Sequence, residues 1–153
     1  MTMRKTAQTA CLAMLVLAGV AKAASPADIA LGLAPEVVQV VSGGLWDDSG
    51  KKGGYRAILI GPTGAGAQGS ELYLEWLAAG QNGAPPSIII SSPIKEVNDL
   101  KLADALLTME FEKANEFTLF VEPNDPSKLT GNSYTVIATT PGKYSFSLGT
   151  PPE

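Results

Sequence analysis

The sequence predicts an all-β protein, a small antiparallel β-sandwich of about eight strands. Short runs of β-branched and aromatic residues recur at intervals of roughly 8 to 15 residues, with glycine- and proline-containing turns between them. The densest apolar region, Gly54–Ala78, holds two such runs and one of the two tryptophans. No internal repeat or low-complexity tract interrupts the pattern, so the strands are expected to share one domain.

Gly54–Ala78 is predicted to be a central β-hairpin. The glycine-rich link Gly61–Gly69 joins an apolar run, Tyr55–Ile60, to a second run, Glu71–Leu77. Apolar and polar residues alternate in the second run, which is the period of a strand buried on one side only. One face therefore carries the apolar residues and the other the polar ones, which are Leu72, Leu74 and Trp76 against Glu71, Tyr73 and Glu75.

The other strands are predicted from the same patterns. They are expected at Glu36–Ser42, Ile88–Ile90, Leu107–Glu112, Phe117–Glu122, Tyr134–Thr139 and Lys143–Leu148. Asp47–Gly54 has almost nothing apolar to bury and is expected to be a turn-rich loop. Ile94–Asn98 is expected to continue as an edge segment, and Leu100–Ala105 to form a helical turn or a loop.

Residues 1–23 are expected to be a cleaved signal peptide. Arg4 and Lys5 provide the positive start, Cys11–Val20 the short apolar core and Ala21–Ala23 the cleavage signature. The apolar core is too short to span a bilayer as a helix, so no membrane anchor is expected after cleavage. Residues 24–35 are expected to be a flexible leader, and 36–153 a single β-sandwich domain. The protein is therefore predicted to be periplasmic or secreted.

The composition of the mature chain excludes several function classes. Cleavage removes three of the 11 basic residues and none of the 15 acidic ones, which leaves a net charge of −7. That charge opposes binding to nucleic acid and to anionic membranes. The mature chain has no cysteine and no histidine, so it lacks the commonest general base and transition-metal ligand. An enzyme and a bound cofactor are therefore not expected.

The link Gly61–Gly69 has two features of a phosphate-binding loop, because it follows an apolar strand and contains Gly-x-Gly-x-x-Gly. A P-loop needs a lysine and a serine or threonine where this chain has Ala67 and Gln68. A dinucleotide-binding unit would need a helix after the link, but the following residues alternate as a strand does. The link is predicted to be a hairpin loop, and no nucleotide is expected to bind.

Two sets of residues with side-chain oxygens leave calcium binding and hydrolysis as alternatives. Asp47 and Asp48 in one loop, and Asn124 and Asp125 in another, would bind calcium if these loops met. Several glutamates lie on the polar sides of their strands, where a hydrolase using only carboxylates is conceivable. These are Glu71, Glu75, Glu110, Glu112 and Glu122. A solvated sheet face explains the same pattern without catalysis.

The segment Pro141–Phe146 resembles, at the level of the fold, the tyrosine corner of immunoglobulin-like domains. A turn is followed there by Tyr144 near the start of a strand, and in a tyrosine corner the hydroxyl bonds to backbone upstream. The resemblance implies an immunoglobulin-like sandwich. It carries no function, and the cysteine pair of antibody domains is absent.

The function predicted from these observations is an exported, non-catalytic binding or adaptor protein of the cell envelope. The alternatives are a structural subunit of a surface assembly, which would use Ile29–Val41 for strand addition, and a carboxylate-only hydrolase. The candidate partner surface is the outer face of the central hairpin, at Arg56, Ile58, Ile60, Tyr73 and Glu75. The same face would instead be covered by the chain itself if Ala24–Pro35 or Leu100–Ala105 packed on it. The oligomeric state is left open.

Overall fold

The computed structural model describes residues 33–81, 83–110, 113–124 and 133–149, and eight strands and one short helix make up their regular structure. The elements are β1 Val37–Asp48, β2 Lys51–Ile60, β3 Glu71–Ala78, β4 Ser87–Pro93, α1 Lys95–Asn98, β5 Ala105–Glu110, β6 Phe117–Pro123, β7 Ser133–Ala138 and β8 Tyr144–Gly149. The described residues belong to one unit, Leu33–Glu153. The expected signal peptide and most of the expected leader lie outside the described residues.

The strands form two antiparallel sheets. The first sheet has the order β1-β2-β3-β4 and the second the order β5-β6-β7-β8, so within each sheet consecutive strands of the chain pair with each other. This confirms the prediction of an all-β, antiparallel protein with about eight strands. Among the described residues, no helix is long and apolar enough to cross a membrane.

The central hairpin is confirmed by the register of β2 and β3, in which Ile58 lies opposite Tyr73. Leu72, Leu74 and Trp76 are all completely buried, so the apolar side of the alternation faces the core. The segment after the glycine-rich link is a strand, and the helix that a dinucleotide-binding unit needs does not form there.

The predicted loop Asp47–Gly54 was wrong, because both strands of the first hairpin run through it. The turn consists only of Ser49 and Gly50, with φ angles of +54° and +83°, which suits the tight turns that join antiparallel strands. On either side of the turn, aspartates lie opposite lysines, with Asp47 paired to Lys52 and Asp48 to Lys51. Cross-strand charge pairs thus let a stretch without apolar residues continue the ladder.

The predicted edge segment Ile94–Asn98 was also wrong, because β4 ends at Pro93 and the chain turns into α1. The side chain of Asn98 then continues the edge of the sheet. Its Oδ1 accepts the N–H of Leu72 at 2.7 Å, and its Nδ2 donates to the Leu72 carbonyl at 3.3 Å. The helix therefore supplies the hydrogen bonds that a longer β4 would have made, while Ile94 remains buried.

The connection from α1 to β5 packs into the core. Leu102 is buried, and its carbonyl accepts the N–H of Ser70 at 2.5 Å. Leu100 is partly buried against the same core. The contacts of Leu100–Ala105 therefore run toward the core side of the first sheet, which gives no support to its expected alternative role as a cover for the opposite face.

Buried residues from both sheets belong to one hydrophobic cluster. The ring of Tyr55 on β2 stacks on that of Phe117 on β6, with centroids 5.3 Å apart. The hydroxyl of Tyr55 and the indole N–H of Trp76 both donate to the Thr139 carbonyl, at 2.7 and 3.2 Å. Burial raises the pKa of Tyr55 to about 12, and the nearby negative charge of Glu116 adds to the shift.

Tyr144 does not make the bond that a tyrosine corner implies. Its hydroxyl donates to Oε2 of Glu96 at 2.9 Å, and Glu96 belongs to α1, 48 residues upstream. In a tyrosine corner the acceptor is a backbone group only a few residues away. The pKa of Tyr144 is raised by burial and then by the bond to Glu96. The local resemblance to immunoglobulin-like domains therefore does not extend to this hydrogen bond.

Candidate functional site

The five residues of the predicted partner surface lie on one face of the first sheet. Residues directly opposite each other in an antiparallel pair project to the same side. Arg56 lies opposite Glu75, Ile58 opposite Tyr73, and Ile60 opposite Glu71. All are on the side away from Leu72, Leu74 and Trp76 of β3, and we call this side the outer face of the first sheet.

An apolar row crosses the outer face from one edge of the sheet to the other. It runs from Val40 on β1 through Ile58 and Tyr73 to Pro93 on β4, each residue lying opposite the next. Val40 is 41% exposed, and the side chains of Ile58 and Tyr73 are half-buried. Sequence reasoning located the middle of this row but missed both ends, because pairing with β1 and β4 cannot be inferred from alternation within β2 and β3.

A polar row lies beside the apolar one and is dominated by an ion pair. Nε and Nη2 of Arg56 both contact Oε2 of Glu75, at 2.6 and 2.5 Å. The pairing follows from the register, which places these two residues directly opposite each other between Ser42 and Ser91. Glu75, which is also one of the five predicted surface residues, is therefore the partner of Arg56.

The Arg56–Glu75 pair is more buried than expected for a solvated sheet face. Only 8% of the Glu75 side chain is exposed, against 33% for Arg56. The attraction between two opposite charges offsets the free-energy cost of removing them from water. If one partner is removed, that cost remains for the other charge without compensation. The two charges of the pair therefore cancel beside the apolar row, and Glu71 keeps its negative charge at the border of that row.

Glu71 accepts a hydrogen bond from a neighbouring tyrosine. The Tyr73 hydroxyl donates to Oε2 of Glu71 at 2.8 Å, along the same strand. This bond to a carboxylate raises the pKa of Tyr73, and partial burial raises it further. The phenol therefore stays protonated across neutral pH and offers a fixed polar group at the border of the apolar row.

The carboxylates weighed for calcium are used within a turn. Asp47 forms an ion pair with Lys52 at 3.1 Å and accepts the Gly50 N–H at 3.2 Å. The lysine hydrogen bond lowers the pKa of Asp47. Asp125 lies outside the described residues. Within the described ranges, no group of three histidine, cysteine or acidic residues is placed to hold a metal.

The glutamates weighed for hydrolysis are divided between the two sheets. Glu71 and Glu75 lie on β3 of the first sheet, where both accept hydrogen bonds from neighbouring side chains. Glu110 and Glu122 lie on β5 and β6 of the second sheet, opposite Thr118 and Leu106. Glu112 lies outside the described residues. Among the four described glutamates, neither pair on one sheet lies at directly opposite positions of neighbouring strands.

One concave feature was missed by sequence reasoning. A groove of about 880 Å³ is lined by Gly43–Asp47, Lys52, Gly53, Ala79 and Lys113–Glu116. A bulge shapes one wall, since two residues of β1, Gly44 and Leu45, oppose one residue of β2. The groove's lysines are both paired with nearby carboxylates. Gly43 and Gly44, which directly follow the predicted strand Glu36–Ser42, are the signal that the sequence offers for this bulge.

Comparison with known proteins leaves the site to be interpreted from its own geometry. No family model matches the chain, and no curated protein or solved structure shows significant similarity to it.

Proposed function

We propose that the chain is an exported, non-catalytic binding or adaptor protein of the cell envelope, periplasmic or secreted, that binds a protein partner through the outer face of the first sheet. The observation that carries this proposal is the apolar row of Val40, Ile58, Tyr73 and Pro93 beside a neutralised ion pair. Export rests on the order of features in residues 1–23.

The proposal includes an immunoglobulin-like sandwich as the scaffold. Contacts between core-facing residues support it, above all the stacking of Tyr55 on Phe117 at 5.3 Å and the shared acceptor at Thr139. A further support is Gln39 of β1, whose amide exchanges two hydrogen bonds with the backbone of Leu107 on β5. In a sandwich, residues facing away from the other sheet are free to bind a partner.

The outer face has the composition of a binding patch. Interfaces combine an apolar centre, often with tyrosine or arginine, and a polar rim. Here Ile58 and Tyr73 form the centre, and the Arg56–Glu75 pair and Glu71 border it. A protein partner that covers the apolar row and donates hydrogen bonds to Glu71 would fit this arrangement.

The test is a capture experiment with a paired substitution, Ile58→Asp with Tyr73→Ser. The tagged chain is expressed in its native envelope, crosslinked and purified, and the captured proteins are compared between variants. A matched control, Leu106→Asp, places the same charge on a 44% exposed leucine of the second sheet. A partner surface predicts that the paired substitution abolishes capture while the control retains it, with both variants folded.

Melting temperature separates this outcome from a covered face. If another part of the chain packs over Ile58 and Tyr73, the paired substitution buries a charge and should lower the melting temperature strongly. A large drop for the paired variant, with none for the control, would contradict the proposal. Unchanged capture by a folded paired variant would contradict it as well.

The structural-subunit alternative is not favoured by the described strands. It requires Ile29–Val41 to pair with another subunit instead of with its own sheet. Part of that segment, Val37–Val41, is already paired with β2 of its own chain, and Glu36 accepts the N–H of Gly61 at 2.7 Å. Donating it would break this ladder, so a strand-adding role would have to use another element.

A further inference from the structure

The outer edge of β8 is a regular row of backbone groups. β8 pairs with β7 without a register shift, from Ser133 opposite Gly149 to Ala138 opposite Tyr144. The Thr139 N–H donates to the Lys143 carbonyl at 3.0 Å, which sets the alternation of hydrogen-bonded pairs. The N–H and C=O groups of every second residue therefore point away from β7, at Tyr144, Phe146 and Leu148.

The other three edges of the two sheets are interrupted or occupied. On β5, the outward N–H and C=O of Leu107 bond to the Gln39 side chain at 2.9 and 2.8 Å. β1 has two register shifts, and the pairing of β4 with β3 is shifted and ends at Pro93. These are the devices by which proteins protect sheet edges. The described β8 has no shift, no proline and no charged residue.

An apolar row across the second sheet ends at β8 with an exposed side chain. The row runs across the core side of the second sheet from Leu107 through Val121 and Tyr134 to Leu148. Its first members are buried or half-buried, but Leu148 is 66% exposed. A strand added beside β8 would place another side chain next to Leu148 and continue the row.

We propose that this edge pairs antiparallel with β8 of a second copy of the chain, about a two-fold axis at Phe146. The sequence Tyr-Ser-Phe-Ser-Leu is nearly the same in both directions. In this register Phe146 lies opposite Phe146 of the second copy, Tyr144 opposite Leu148, and Ser145 opposite Ser147. Each apolar residue thus meets an apolar one, each serine meets a serine, and no charge lies within the paired segment.

The same register uses every outward backbone group. Tyr144, Phe146 and Leu148 each supply one N–H and one C=O, so two copies form six hydrogen bonds across the axis. The product is a continuous sheet of eight strands, made from two four-stranded sheets. One added strand pair buries little area, so the association is a weak equilibrium that depends on concentration. It leaves the outer face of the first sheet free in both copies.

The test introduces charges at two exposed serines of β8, Ser145 and Ser147. One full-length variant carries lysine at both positions, and another carries glutamate at both. In the proposed register each lysine or glutamate of one copy lies opposite an identical charge, twice per dimer. The dissociation constant measured by sedimentation equilibrium should rise about tenfold or more for either variant alone. An equimolar mixture of the two should dimerise at least as tightly as the unsubstituted chain.

A control variant carries lysine at an exposed serine of β4, Ser87, and should dimerise like the unsubstituted chain. Hydrogen exchange gives a second measurement, since the amides of Phe146 and Leu148 should become protected as concentration rises. The proposal is overturned if the unsubstituted chain remains monomeric up to about 1 mM. It is also overturned if the β4 control loses association while the β8 variants keep it, or if mixing the two β8 variants restores nothing.

Discussion

The buried ion pair of Arg56 and Glu75 gives the sharpest quantitative prediction. Replacing Arg56 by methionine leaves the Glu75 carboxylate, only 8% exposed, without its partner. Breaking a fully buried pair from one side costs about 3 to 5 kcal/mol. Because Arg56 is one-third exposed and water reaches its side of the pair, we expect the free energy of unfolding to fall by about 2 to 3 kcal/mol.

The reverse substitution should cost less. Glu75→Met leaves Arg56 unpaired, but the arginine is the more exposed partner and remains solvated. We expect a loss of about 1 kcal/mol. Replacing both residues by methionine removes both charges, and such apolar replacements are often neutral or stabilising. The double variant should therefore lose no more than about 1 kcal/mol relative to the unsubstituted chain, which gives a coupling energy of about 2 to 4 kcal/mol in the double-mutant cycle.

Urea unfolding of the four proteins measures these differences, with the slope of each transition compared to exclude a changed unfolded state. A control cycle uses Lys52→Met and Asp47→Asn, a pair whose side chains are 71% and 40% exposed. The control substitutions should leave the midpoint unchanged within error. The reasoning would be refuted if Arg56→Met cost no more than Lys52→Met, or if the two single losses simply added.

Three further changes probe the core. Trp76→Ala removes a completely buried ring and should cost about 3 to 5 kcal/mol in urea unfolding; a loss below about 1 kcal/mol would contradict its burial. Gly53→Ala places a Cβ 1.7 Å from the Leu77 carbonyl oxygen and should cost about 3 kcal/mol or more, whereas Gly50→Ala, at a φ of +83° with open space around it, should cost about 1 kcal/mol. The pKa of Tyr55 is raised from 10.0 to about 12, so its contribution to stability is full below pH 10 and is lost between pH 10 and 12. Melting curves of the unsubstituted chain and Tyr55→Phe across that range measure the contribution, and equal pH dependence of the two would contradict it.

The central hairpin could be predicted because a single local rule determines it. Alternation in β3 assigns Leu72, Leu74 and Trp76 to one side whatever the rest of the chain does, and the structure buries all three. The side of Arg56 followed from the cost of burying its charge, and the register placed it opposite Glu75. Composition and alternation therefore sufficed for the identity of the candidate face.

The two wrong assignments share a physical cause. Asp47–Gly54 lacks apolar residues, yet it forms the ends of two paired strands. Ile94–Asn98 has the apolar content of an edge strand, yet it contains a short helix. Cross-strand pairs between aspartates and lysines hold the first stretch in a ladder. Hydrogen bonds from Asn98 to Leu72 stabilise the second as a helix end. Both depend on partners elsewhere in the chain, which periodicity within one segment cannot reveal.

The burial of Glu75 and the groove beside the bulge were beyond sequence reasoning for a related reason. A polar residue in an alternating strand is expected to be solvated, but Glu75 lies in a strand flanked by neighbours on both sides. The exposure of Glu75 depends on its neighbours in the same row across the sheet, which are Arg56 on β2 and Ser91 on β4. The bulge at Gly44 and Leu45 likewise appears only when β1 is aligned with β2.

Amide side chains close one sheet edge of this fold, whereas among the described strands the outer edge of β8 has no neighbour. Gln39 offers both a donor and an acceptor to Leu107, as a neighbouring strand would, and it does so from the other sheet. Asn98 does the same for Leu72 where β4 ends. A single amide side chain can bond the N–H and the C=O of only one residue. It therefore closes a sheet edge only where few backbone groups point outward. The outer edge of β8 presents three such residues in regular spacing, and a second strand is the partner that satisfies all of them at once.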